Sequence, residues 1–255
     1  MSGEVALVDS KNEAMASLVR TATVLFETPR FQQAALVGGL AVTIRLATAH
    51  RATNDIDAVT DGAHPHGLAL QYIGAGQPNE TNRIEVDGVK IDVMETWPLP
   101  IASHDLPEDD LERLFIISHR WAFESSRPVT VKTVEPGGHI GTVSGTLNVA
   151  TAPALIACKL HAISDRRGSS LSKRDSDALD LFRLVTSLVR SETSVGALST
   201  APFDLTSLVM TQVERWFVTD SLRTARLANS ASSTGVRIDA ADVSSVGRLL
   251  LDQLR

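Results

Sequence analysis

Apolar positions in the first part of the chain fall into two rhythms. Between residues 12 and 27, Met15, Leu18, Val19, Ala22, Val24 and Leu25 recur at helical spacing, and Pro29 ends the run. A helix is predicted there. The stretch AALVGG (34–39) reads as a short apolar strand meeting two glycines, and AVTIRLATA (41–49) follows with good helix formers. NDIDAVT (54–60) then alternates, placing Ile56 and Ala58 on one face and Asp55, Asp57 and Val59 on the other.

The same reading continues downstream. A helical segment around residues 66–76 precedes two strand candidates, TNRIEV (81–86) and VKIDVME (89–95), joined by the hairpin signal Asp87-Gly88. After Pro107, residues 108–124 read as a helix with acids in its first turn, where they face the positive end of the helix dipole. VTVKTV (129–134) and HIGTVSGTLNVA (139–150) look like closing strands. From Ala152 onward the pattern is helical. The expected architecture is α+β, with a mixed sheet flanked by helices over 1–150 and a mainly helical lobe over 151–255.

Composition narrows the class. With 255 residues, 43% hydrophobic and 21% charged, the chain can bury a core and is not a disordered polyelectrolyte. A net charge of -6 disfavours a wholly basic nucleic-acid surface and leaves room for a local basic patch. No apolar stretch reaches the roughly 18 residues of a bilayer-spanning helix, and the acidic start does not read as a secretory signal. A cytoplasmic protein without membrane attachment is expected. The single Cys158, in ALIACKLHAI, is expected to be a small buried thiol rather than a nucleophile.

The chemistry gathers around the acids. Asp55 and Asp57, one residue apart on a strand, project the same way, so a cation between them relieves their mutual repulsion. Magnesium favours such oxygen ligands and completes its shell with waters and substrate phosphates. Taken alone the pair equally suits surface acids. Gly38 and Gly39, between strand and helix, let a phosphate approach backbone N–H groups, and Arg51 and Thr53 bring a positive charge and a hydroxyl just before the acids. Asp92 interrupts an otherwise apolar strand; a metal or hydrogen-bonded site explains it, as does an edge-strand acid facing water. Three carboxylates together can hold two cations. On the later helix, Leu155, Ile156, Lys159 and Ile163 share a face, which sets a lysine among apolar side chains, and Arg166 returns to that face. A lysine snorkelling from the core margin is the alternative.

Gly38-Gly39-Leu40-Ala41-Val42, Arg45, Arg51, Thr53, Asp55-Ile56-Asp57 and the later Asp92 together resemble the nucleotidyltransferase superfamily, in particular the AbiEii and MenT group of bacterial nucleotidyltransferase toxins. Gly39 stands where the wider superfamily often has serine, so a hydroxyl contact to phosphate is missing there. The order of residues in 159–184 is similar to the group's second half. The resemblance implies that Lys159 binds nucleotide, aided by Arg166, and that Asp177 is the late functional acid, with Asp180 and Asp175 as alternatives. It implies a metal-dependent nucleotidyltransferase whose catalytic set is Asp55, Asp57, Asp92, Lys159 and Asp177. Gly38, Gly39, Arg51, Thr53, Lys159 and Arg166 bind the NTP, and Asp55, Asp57 and Asp92 hold Mg2+ or Mn2+.

The group further implies a tRNA 3' end as acceptor and an antitoxin partner, the chain being the toxin of a toxin–antitoxin pair. Arg166, Arg167, Lys173 and Arg174 then suit an RNA backbone or a solvated loop. Transfer to an aminoglycoside or a protein, and a non-catalytic nucleotide- or RNA-binding regulator, are the competing functions. The resemblance spans residues 35–190 and leaves 191–255 unassigned.

Overall fold

The computed structural model describes residues 4–9, 13–28, 31, 33–47, 53–61, 83–97, 105–135, 138–166, 171–233 and 235–255. The helix expected around residues 66–76 lies outside them. The chain divides into two compact units: residues 1–101 with 122–151, and residues 102–121 with 152–255.

The first unit holds a seven-stranded mixed sheet in the order β1-β6-β7-β2-β3-β5-β4. Its strands are β1 (Glu4–Asp9), β2 (Ala35–Val37), β3 (Asp55–Asp61), β4 (Arg83–Val86), β5 (Val89–Thr96), β6 (Arg127–Val134) and β7 (Ile140–Val149). The Asp87-Gly88 turn joins β4 and β5 as an antiparallel hairpin, and β6 pairs antiparallel with β7. β3 runs parallel to β5 and antiparallel to β2, so β3 sits between strands of opposite sense. The mixed α+β class expected from the sequence is the class observed.

Among the described residues, α1 (Glu13–Glu27) packs on this sheet against β3, β5, β6 and β7, and α2 (Gly38–Leu46) against β1, β2 and β3. Met15, Leu18, Val19, Ala22, Leu25 and Phe26 form the buried stripe of α1. Val24, expected in that stripe, is exposed instead. At about 100° per residue it is turned a full step from Leu25, and Phe26 takes the inward place.

β1 is an addition to the sequence reading. It pairs parallel with β6, burying Ala6 and Val8 while Val5 and Leu7 face outward, the period-two alternation of a half-buried strand.

The second unit is helical. It contains most of α3 (Asp110–Ser125), then α4 (Ala152–Asp165), α5 (Leu171–Leu188), α6 (Glu192–Ser199) and α7 (Leu205–Val213). A π-helical turn (Glu214–Thr219) follows, then α8 (Ser221–Ala231) and α9 (Ala240–Leu254). Asp109 starts α3 by accepting from the N–H groups of Leu111 and Glu112, both at 2.9 Å. α4 is buried on most of its circumference, from Pro153 to Leu160 and again at Ile163. No helix among the described residues is long and apolar enough to cross a membrane.

Two buried groups in this unit are held uncharged by their surroundings. Burial pushes the Cys158 thiol up to about 12, which outweighs the Ser118 hydroxyl and the Lys159 charge acting the other way. The thiol is an inert packing group. Burial pushes His119 down to about 4 from 6.5, against a backbone bond from Nδ1 to the Phe115 carbonyl at 2.8 Å.

Above pH 6.5 the histidine is neutral in both states. Between 6.5 and 4 only the unfolded chain takes the proton, so stability falls across that window and levels off below it. The expected loss is about 3 kcal/mol. Thermal melts from pH 7 to pH 4 should show a shallower decline in His119→Gln; an unchanged slope would refute the assignment.

Candidate metal and nucleotide site

The site on the sheet follows from strand register. In β3, Ile56 and Ala58 are fully buried while Asp55 and Asp57 are half-buried on the other face. Parallel pairing sets Asp57 opposite Asp92 on β5, and antiparallel pairing sets it opposite Val37 on β2. One carboxylate oxygen from each of Asp55, Asp57 and Asp92 lies within 4.8 Å of the others. Oxygen ligands placed about 2.0–2.6 Å from one cation span this range. Three acids in so small a space, half shielded from water, call for positive charge. The donor set, all carboxylate oxygen, suits a hard divalent cation.

Gly38 shapes the neighbouring wall. Its φ of +67 belongs to the left-handed region, and a Cβ there would lie 2.6 Å from the Asp57 Cγ. Both the backbone turn and the space beside Asp57 therefore require glycine. Gly38 and Gly39 open α2, whose N-cap, Val37, supplies no side-chain acceptor for the first N–H groups. Gly38→Ala is expected to cost about 1–3 kcal/mol from φ strain, and to push the Asp57 carboxylate out of the cluster. Thermal unfolding and divalent-cation titration read the two effects separately; unchanged values for both would show that alanine fits.

Thr53 is buried just before β3, and its hydroxyl has no hydrogen-bond partner among the described residues. Arg51 lies outside the described residues. Arg45 does not point to chemistry in this geometry. Its guanidinium donates to the carbonyls of Ala150 at 2.8 Å and Val149 at 2.6 Å and pairs with Glu4 at 2.7 Å, tying the end of α2 to β7 and β1.

The later residues of interest belong to the helical unit. The Lys159 ammonium on α4 reaches Asp177 at 2.7 Å and Asp180 at 2.9 Å on α5. Arg166 donates to the second oxygen of Asp177. Asp177 and Asp180 are 1% and 0% exposed, so these acids sit in the core and not at its margin. Two cations meet two anions, which balances the charge of a buried quartet. Lys159 thus neither snorkels outward nor stands uncompensated. Asp175 and Arg174 are partly exposed on the same helix, and Lys173 is exposed. Arg167 lies outside the described residues.

No protein-family model matches the chain, and no curated protein matches it in sequence. Among solved structures, the antibiotic-resistance factor ANT(2'')-Ia is similar, with a TM-score of 0.41 and 13% identity. The match covers 80% of this chain and 94% of that one.

Proposed function

We propose that the chain is a metal-dependent nucleotidyltransferase that moves a nucleotide from an NTP to an acceptor hydroxyl. The observation that carries this reading is the three-carboxylate cluster on adjacent parallel strands, walled by the Gly38 turn. Asp55, Asp57 and Asp92 hold the cation. Magnesium or manganese there supplies charge neutralisation at the reacting phosphate. The chain's own groups do the rest. Gly38 and Gly39 offer backbone N–H groups at the start of α2 to the triphosphate, and the buried Thr53 hydroxyl adds a polar group beside β3. Arg51 is assigned to the same phosphates from the sequence resemblance alone.

The acceptor oxygen attacks the α-phosphorus while the bond to the β-phosphate oxygen breaks and pyrophosphate leaves with the electron pair. Asp92 takes the hydroxyl proton. Lys159 and Arg166 are the cations assigned to nucleotide binding, with Asp177 orienting both through its two oxygens. The proposed acceptor is the 3' end of tRNA, which fits a toxin that stops translation and is restrained by an antitoxin protein.

Incubating the purified full chain and magnesium with each labelled NTP in turn tests this, with total RNA, protein and an aminoglycoside as acceptors. Label on tRNA 3' ends is the expected result. Label on aminoglycoside or protein keeps the transferase and overturns the RNA acceptor. Label on nothing overturns the enzyme and favours a nucleotide- or RNA-binding regulator.

A further inference from the structure

The C-terminal helices carry a second concavity that the transfer reading does not use. A bowl of about 500 Å³ is lined by polar residues of α8 and the segment after it, Arg226, Asn229, Ser230, Ser232 and Arg237, together with Gly235 and Val236. Among the described residues its lining holds two guanidinium groups and two hydroxyls, with Asp239 beside Arg237. α8, which forms one side, has no acidic residue along its whole length, SLRTARLANSA. In a chain of net charge -6 this is a local reversal of sign.

The bowl is also built. Asn229 donates from Nδ2 to the Ile238 carbonyl at 2.8 Å and accepts from the Ile238 N–H at 2.9 Å, clamping the loop at its neck. Gly235 stands at φ +69, with open space where a side chain would be. Arg226 has no ion-pair partner among the described residues. Arg237 pairs with Asp239 at 3.2 Å in full view of solvent, where such a contact is worth little and yields readily to a better anion.

We infer that this bowl binds a phosphate of a nucleic-acid strand. Arg226 on α8 and Arg237 beyond it present the guanidinium forks that a phosphodiester takes, with no requirement for base identity. The wide mouth and a lining without an aromatic among the described residues suit a backbone crossing the surface better than an enclosed mononucleotide, whose base needs a stacking partner. A strand lying along α8 continues past Arg223, whose guanidinium sits 5.3 Å from the Trp216 ring centroid.

The test measures binding of a labelled single-stranded RNA oligomer to the full chain by fluorescence anisotropy, in EDTA and without NTP. It is independent of the carboxylate cluster, so its failure is distinct from failure of the transferase reading. R226Q/R237Q is expected to weaken binding at least about tenfold and to flatten the salt dependence by about 1.4, two phosphate contacts at about 0.7 each. The charge-matched R190Q/R255Q, altering exposed arginines outside the bowl, is expected to bind as the wild type does. Circular dichroism confirms that both variants fold. Equal affinities for wild type and R226Q/R237Q, or equal weakening in R190Q/R255Q, would overturn the inference. So would full displacement of the RNA by inorganic phosphate or an NTP at concentrations near that of the oligomer, which would assign the bowl to free phosphates.

Discussion

Asp57→Asn is expected to lower nucleotide transfer at least about 10³-fold while leaving the fold intact. Asp57 is the middle member of the cluster: its strand pairs with β5 at Asp92 and with β2 at Val37, and its carboxylate fills the space that Gly38 leaves open. Asparagine keeps the shape and one oxygen but removes the charge that a cation needs. No apolar packing is lost, since Ile56 and Ala58 on the opposite face carry the burial of β3. A second readout separates chemistry from folding. Wild-type protein should melt higher as magnesium or manganese is added, because a ligand that binds only the folded state stabilises it. That rise should vanish in Asp57→Asn. Retained transfer, or an undiminished rise, would remove Asp57 from the site.

The features legible in the sequence were those written in local pattern. The alternation of NDIDAVT revealed β3 and the common face of its two acids, and Asp87-Gly88 announced the β4–β5 hairpin. The convergence of Asp92 on Asp57 was less direct. It depends on parallel register between strands separated by a long connection, which no local period encodes. The glycine pair is readable as a turn, whereas the steric dependence of Gly38 on Asp57 arises only once β2 and β3 pair in the folded chain. Arg45 shows the opposite limit. It stands within the motif, yet its donors are spent on the carbonyls of Val149 and Ala150, more than a hundred residues away. β1 carries no local signal of its own, because its partner strand, β6, is distant along the chain and only pairing makes six residues a strand.

The helical unit yields the prediction with the largest effect on stability. Lys159→Met is expected to destabilise the protein by about 3–5 kcal/mol, because Asp177 and Asp180 then keep their burial and lose the cation between them. For a chain of this size the thermal midpoint should fall by roughly 10 °C. Asp177 keeps its pair with Arg166, while Asp180, with 0% exposure, loses its 2.9 Å bond to the ammonium. Adding Asp180→Leu to Lys159→Met should therefore recover most of the stability, since an apolar pair of similar volume replaces a broken ion pair. A loss under about 1 kcal/mol in the single variant would mean that the quartet is not a stabilising unit. The double variant also isolates the lysine's proposed second role. If it folds as well as the wild type yet transfers poorly and needs more NTP for half-saturation, the ammonium serves the nucleotide and not only the helix pair. Wild-type kinetics in that variant would confine Lys159 to holding α4 against α5.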